Sequence, residues 1–383
     1  MWKITSSLLA AFLVLTGILL LAVLSLPSSS RAQQTLSRQA EVERLKQEVA
    51  RNPNKAKARI ELANALDDAG DTDAAIFQYL AAIRIDPSDA SARRNIGVAY
   101  LRKGDIKAAE PAFREAIRLA PDYTKARVSL IEVLARKQDW DASLTEITQA
   151  LRMNRVEFVT VQLESLFPAE RDGFLQAKLE AAAHACLGNL ILDQHADVDR
   201  ATKELRKAVE IDPQFAVAFQ ILAYVYETRN KREDALSAAQ TALRLNPNLP
   251  NAHLTAGIIY KEIGRTEDAI REYQASIQIL PSFAKGYFNL GNLYADLKQQ
   301  PQAIDAYQKA LSADSKFDAI ARVHNNLAVC YYVTGQYALA WQHVHDVQRL
   351  GGNVNPGFLA ALRKAAPGEN SMPPARVAPL PPR

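Results

Sequence analysis

From residue 56 onward, apolar and small residues recur in blocks of 34. Each block holds two stretches of helical spacing separated by short polar turns. Pro53, Pro87 and Pro121 stand 34 residues apart, and Pro213, Pro247 and Pro281 form a second series. Position 1 of the block falls at Ala56, Ala90, Thr124, Ala181, Ala216, Pro250, Ala284 and Ala321. Position 8 then reads Ala63, Gly97, Ile131, Gly188, Ala223, Gly257, Gly291 and Ala328. Position 20 reads Ala75, Ala109, Ser143, Ala201 (after a one-residue slip), Ala235, Ala269, Ala303 and Ala340. Small residues at these places let two helices approach closely. Large residues alternate with them: Tyr100, Tyr226, Tyr260, Tyr294 and Tyr331 at position 11, and Tyr79, Phe113, Tyr273 and Tyr307 at position 24. The position 24 rings are expected to fill gaps between hairpins.

This register resembles the tetratricopeptide repeat family over about residues 56–354. The resemblance implies an all-α, right-handed superhelical solenoid of about eight helical hairpins. The phase departs where Arg155, Ser315 and Gly352 replace proline, near His195, where one residue is added, and before Ala321, where three are added. The expected organisation is an anchor or signal segment over 1–32, a capping helix within 33–55 and three repeats over 56–157. A helical insert follows over 158–180, then five repeats over 181–354, a second capping helix over 355–366 and a Pro-rich disordered tail over 367–383. The insert carries Phe158, Leu163, Leu166, Phe167 and Phe174, which argue for a packed segment with one extended helix. Pro111 falls inside a predicted helix, where proline removes a backbone bond.

The N-terminal end reads differently. An uncharged apolar run extends from Ile4 to Leu26, closed by Pro27 and three serines. A bilayer core needs about 20 such residues, whereas the apolar part of a secretion signal has about 7 to 15. Length favours a single-pass anchor with the repeats facing the periplasm or exterior. Ser30-Arg31-Ala32 has the small-x-small pattern of a cleavage site, so secretion to the periplasm after cleavage is the alternative.

Composition narrows the chemistry. The chain has 383 residues, only 15 of them glycine, and alanine-rich stretches throughout, which favours helix. The net charge of +4 spreads over 46 basic and 42 acidic residues, so no strong pull toward nucleic acid is expected. Cys186 and Cys330 fall four repeats apart, too far for a disulfide, and read as buried small apolar residues. No phosphate loop, CxxC pair or nucleophile elbow is present, so neither an enzyme nor a cofactor is expected. The six histidines, His184, His195, His253, His324, His343 and His345, show no i, i+4 pair. They read as solvated or capping residues, with no metal site. Asp67, Asp68 and Asp71 sit in a turn, where acids cap helices.

The resemblance implies that the first helix of each hairpin lines a concave groove through positions 2, 5, 6, 9 and 12. Candidate partner-binding residues there are Asn64, Arg94, Asn95, Asn189, Asn289, Asn292, Asn325 and Asn326, with Phe288 beside them. Amides offer donors and acceptors suited to an extended peptide backbone. The clamp for acidic chaperone tails needs Lys at position 5 and Asn at position 9 of one repeat. Ile60 with Asn64, and Arg94 with Val98, do not provide it. Arginines form stripes at position 4 (Arg59, Arg93, Arg127) and position 29 (Arg84, Arg118, Arg152), readable as a salt-bridged face or as a site for an anionic partner. The expected function is a membrane-tethered scaffold or assembly factor holding protein or peptide ligands. Alternatives are a soluble periplasmic binder or a non-catalytic subunit of an envelope enzyme complex.

Overall fold

The computed structural model describes residues 29–163, 166–194, 197–314 and 317–366, with side chains from residue 37. The apolar run over 4–26, the tail over 367–383 and His195 lie outside the described residues. Among the described residues there are nineteen helices and no strand. No helix among them is long and apolar enough to cross a membrane.

The chain divides into two compact units, one ending at Asp139 and one starting at Trp140. The first holds α1 (Ser29–Arg51), α2 (Ala56–Asp68), α3 (Thr72–Ile85), α4 (Ala90–Arg102), α5 (Ile106–Leu119) and α6 (Thr124–Arg136). Helices α2 and α3 form one antiparallel hairpin, and α4 and α5 the next. Val42, Leu45 and Val49 of α1 are buried in one cluster with Leu62, Leu66 and Tyr79.

The second unit starts with α7 (Trp140–Gln162), α8 (Pro168–Gln176), α9 (Leu179–Asp193), α10 (Val198–Ile211) and α11 (Ala216–Thr228). It continues through α12 (Arg232–Leu245), α13 (Pro250–Glu262), α14 (Thr266–Ile279) and α15 (Ala284–Asp296). It ends with α16 (Gln300–Ala313), α17 (Ile320–Val333), α18 (Tyr337–Arg349) and α19 (Pro356–Ala365). Five hairpins follow one another here, from α9–α10 to α17–α18. The first helices of neighbouring hairpins touch along the row α11, α13, α15, α17.

Each hairpin closes on a close approach between its two helices. A Cβ on Gly97 would lie 2.6 Å from the Phe113 ring, and one on Gly257 would lie 2.6 Å from Tyr273. Gly291 stands in the same relation to Tyr307, at 2.7 Å. The position 24 rings therefore pack against the first helix of their own hairpin, and Tyr79 and Tyr307 also share buried clusters with Ile96 and with Leu327 of the following hairpins, as rings filling the gaps between hairpins should. They are all but fully buried, and burying such a ring removes about 150–250 Å² from water.

Turn chemistry explains where helices start and stop. Asp71, Asp89, Asp105 and Asp197 each accept a hydrogen bond from the backbone N–H three residues on, capping the second or first helix of a hairpin. Asp67 does not cap; it accepts from Thr72 and pairs with Arg102. Among the described residues, block position 15 lies in the left-handed region in the turn between the two helices. Gly70, Gly104, Gly264 and Gly335 occupy it, but so do Gln138, Asn230 and Lys298 with φ between 57° and 60°.

The insert differs from its expected outline. Helix α7 runs past residue 158 to Gln162, broken only at Asn154, where φ is −148° and ψ 80°. That break stands beside Arg155, the residue occupying the proline place. Arg155 donates to the carbonyls of Leu175 (3.0 Å) and Ala177 (2.8 Å), which holds the returning chain. The helix proper to the insert is α8, nine residues long rather than extended. Cys186 and Cys330 are both buried and unbridged.

Two substitutions test this backbone reading. Pro111 is exposed in the interior of α5 and cannot donate to the Lys107 carbonyl. Pro111→Ala is expected to stabilise α5, read as slower amide hydrogen exchange there; unchanged exchange would show that the helix already absorbs the proline. Lys298→Gly is expected to raise unfolding stability by about 1 kcal/mol, since a side chain in the left-handed region costs about that much. A lower urea midpoint for Lys298→Gly would overturn the assignment.

Candidate functional site: the first-helix face

The asparagines do not stand as independent groups. In the first unit the Tyr79 hydroxyl donates to Asn64 Oδ1 at 2.6 Å, and Asn95 Nδ2 donates to the same oxygen at 3.2 Å. In the second unit the Tyr307 hydroxyl donates to Asn292 Oδ1 at 2.7 Å, and Asn326 Nδ2 donates to it at 2.9 Å. The two relays use the same block positions: Asn at 9, Tyr at 24, and Asn at 6 of the next hairpin. Burial pushes both phenols well above their ordinary pKa, so they stay protonated and donate. Each relay joins consecutive hairpins through side chains that the sequence assigns to ligand binding.

The remaining candidates are placed as follows. Arg94 donates to Asn95 Oδ1 at 3.3 Å, while its Nε is buried without a partner. Arg94 and Asn95, with Asn64, Asp67, Tyr79 and Arg102, line a pocket of about 280 Å³. Asn189 donates to Asp193 on its own helix at 3.2 Å. Asn289 donates to the Lys285 carbonyl one turn back at 2.8 Å. Asn325 is half-buried on α17. The Phe288 ring packs 6.1 Å from Tyr307 and 5.9 Å from Phe317, with the Arg322 guanidinium 5.5 Å from its centroid. Asn292 and Asn326 meet across α15 and α17, and Asn289 and Asn325 stand on the same two helices. Asn189 on α9 makes no part of that cluster.

Part of this face is already occupied. Helix α8 lies on it at α11 and α13. A Cβ on Gly173 would meet Val217 at 2.5 Å, Phe174 packs edge-on against Phe215 at 5.0 Å, and Phe167 packs edge-on against Phe283 at 5.5 Å. At the centre is Glu170, with no exposed surface. Its carboxylate accepts from the Phe167 backbone N–H (3.1 Å), Gln220 Nε2 (2.7 Å) and Asn251 Nδ2 (2.8 Å). A buried carboxylate needs such donors, because isolated burial of charge is costly. Gln220 and Asn251 stand at positions 5 and 2, groove positions that sequence reasoning passed over. Their signal was their place in the register; the partner, Glu170, has no register at all.

The position 4 stripe is internal. Arg59, Arg93 and Arg127 each donate to the carbonyl of the turn proline six residues earlier: Pro53 (2.9 Å), Pro87 (3.0 Å) and Pro121 (3.0 Å). Arg59 also reaches Gln78 on the second helix at 3.0 Å. In three of the five hairpins of the second unit a histidine takes this place, at His184, His253 and His324, with Phe219 and Tyr287 in the other two. His184 meets Glu204 at 2.6 Å, and His253 meets both Glu272 (2.6 Å) and the Pro247 carbonyl (2.9 Å). His324 meets His343 at 2.9 Å, and His345 stacks on Trp341. These largely buried, cross-hairpin contacts correct the reading of His184, His253, His324 and His343 as solvated or capping. At position 29, Arg118 pairs with Glu115 at 2.7 Å and Arg84 donates to the Leu80 carbonyl at 3.3 Å.

With this geometry in place, the similarities to known proteins can be stated. Models described as TPR repeat or tetratricopeptide repeat match residues 63–104, 94–157, 257–298 and 284–317. The chain carries tetratricopeptide repeats. No curated protein sequence matches it. Among solved structures it is similar to MamA, with 22% identity over 42% of this chain and 92% of that one, and a TM-score of 0.38. MamA 41-end from Desulfovibrio magneticus RS-1 gives 19% identity over 45% and 95%, with a TM-score of 0.39. YrrB, described as a TPR protein with an unusual peptide-binding site, gives 22% identity over 55% and 96%, with a TM-score of 0.34.

The histidine ties predict a pH signature. Burial alone would lower the His253 pKa, but Glu272 and the Pro247 carbonyl together raise it above its ordinary value of 6.5. A raised folded-state pKa lends stability that is complete below the unfolded value, about 6.5, and is lost as pH rises through the folded value. Between pH 6 and 8 the wild-type urea midpoint is therefore expected to fall further than that of Glu272→Gln, whose imidazole lacks the carboxylate. Equal falls in both proteins would show that the pair adds nothing to stability.

Proposed function

From the tetratricopeptide hairpins on this chain, we propose that it is a protein–protein interaction scaffold whose first-helix face grips an extended segment of a partner. Stacked hairpins are typically non-catalytic, and they present continuous surfaces to ligands. The observation that carries the finer reading is the amide-lined face of α15 and α17. The relay there takes Asn292 Oδ1 and Asn326 Nδ2, which orders the asparagines and leaves other amide edges to pair with peptide groups. In the first unit the pocket around Asn64 and Arg94 is a second candidate, because the buried Arg94 Nε has no acceptor. A partner carbonyl or carboxylate would satisfy it, and an unmet buried donor costs about 1–3 kcal/mol.

The uncharged run over 4–26 supports tethering to a membrane, with the repeats on the periplasmic or exterior side. Release after cleavage near Ala32 is the second reading, favoured by the small-x-small triplet. An N-terminus at Gln33 on the mature protein would decide for it.

Site-specific photo-cross-linking tests the groove in intact cells. A photoreactive residue at Asn289 or Asn325, neither of which belongs to the relay, is expected to capture a discrete partner protein. The same probe at Arg84 or Arg118 is expected to capture none. Cross-links from the arginine positions alone would move the site to the basic stripe, and none from any position would overturn the scaffold reading.

A further inference from the structure

The last hairpin breaks the pattern of the earlier ones. In the α9–α10 and α13–α14 hairpins, position 4 is a histidine and position 23 a glutamate. In the α17–α18 hairpin both are histidines, His324 and His343, and the acid has moved to position 26 as Asp346. Asp346 lies three residues beyond His343, on the same face of α18. Among the described residues this is the only group of three histidine, cysteine or acidic side chains whose donor atoms converge.

We propose that His324, His343 and Asp346 form a binding site for one divalent transition-metal ion of the zinc class. His324 Nδ1 and His343 Nδ1 are 2.9 Å apart, and each lies 3.5 Å from Asp346 Oδ2. The circle through those three atoms has a radius of about 1.9 Å. An ion about 2.0–2.1 Å from each donor therefore sits just off their plane, the distance that zinc takes from imidazole and carboxylate. Two nitrogens and one oxygen suit Zn²⁺, Co²⁺, Ni²⁺ or Cu²⁺, whereas Ca²⁺ and Mg²⁺ prefer oxygen alone. Three protein donors leave a fourth position for water or for a group from a bound protein.

The surroundings hold the donors in place. Arg349 pairs with Asp346 Oδ1, which turns Oδ2 toward the imidazoles. The His343 ring stacks on Tyr331, with centroids 5.5 Å apart and planes 11° from parallel, and the Tyr331 hydroxyl accepts from Gln308. Outer contacts of this kind orient ligands in metal sites. The three side chains are between 7% and 15% exposed, so the site is sheltered but reachable. Burial, reinforced by the neighbouring His324 imidazole, pulls the His343 pKa down to about 4, and burial lowers that of His324 as well. Without an ion, one Nδ1–H is shared between the two Nδ1 atoms; on loading, that proton is carried at Nε2 instead.

The test is titration of the metal-free full-length protein with Zn²⁺ by calorimetry, and with Co²⁺ by visible absorption. One ion per chain is expected to bind with micromolar or tighter affinity, with a ligand-field band for Co²⁺. Asp346→Asn and His343→Gln are each expected to weaken binding at least tenfold. His345→Gln and His184→Gln are expected to bind as wild type does. Circular dichroism of each variant separates lost ligation from lost folding, and Asp346→Asn keeps an acceptor for Arg349. No stoichiometric binding, or equal weakening in the two control variants, would overturn the proposal and leave only a hydrogen bond between two imidazoles.

Discussion

The approach of the two helices within each hairpin sets the terms for everything else. A ring at position 24 can lie flat against the first helix only where position 8 has little or no side chain, and Gly97, Gly257 and Gly291 provide that. The ring then carries its para substituent to the far side of the helix pair. In the Tyr79 and Tyr307 hairpins this delivers a hydroxyl to the asparagine at position 9. The same packing contact that closes the core thus positions a polar group at the surface where hairpins meet. Phe113 at the equivalent place has no hydroxyl, and Tyr273 faces a repeat with Ile258 at position 9, so neither forms such a relay.

Position 4 shows how one site in the block can serve by different chemistry. Arginine reaches the turn proline carbonyl directly. Histidine is shorter and instead bridges to a glutamate on the second helix. Both satisfy a carbonyl or carboxylate that would otherwise be short of donors, so a run of basic side chains need not announce an anionic ligand. Where both partners are histidines, the tie carries no fixed charge of its own, and the nearby Asp346 carboxylate brings a third donor atom to the same point.

The α8 insert changes what the first-helix face can offer. It commits Gln220, Asn251 and Val217 to an intramolecular contact sealed by Phe167 and Phe174. In the second unit this leaves α15 and α17 as the part of the row that carries clustered amides outside that contact. Glu170 makes the arrangement specific: three N–H groups from three separate segments converge on a carboxylate with no solvent to replace them, so a shifted helix would strand a buried charge.

Much of the fold was legible in the residues themselves. Small residues at positions 8 and 20, rings at position 24, aspartates before helices and glycines after them all act within one hairpin, where chain connectivity already holds the partners close. Period and spacing therefore suffice to find them. The repeat register likewise put Asn292 and Asn326 on the first helices of neighbouring hairpins, where they meet. What the sequence could not supply is which atom of one helix meets which atom of another. Asn95 donates to Asn64 Oδ1, 31 residues away, the same oxygen that accepts from the Tyr79 hydroxyl, and His324 finds His343 across 19 residues. Neither pair shows in local spacing, because the meeting depends on how far each helix is rotated about its axis. That rotation is settled by core packing. Glu170 lies further still from prediction: it belongs to no repeat, so only the folded chain brings it to Asn251, 81 residues away.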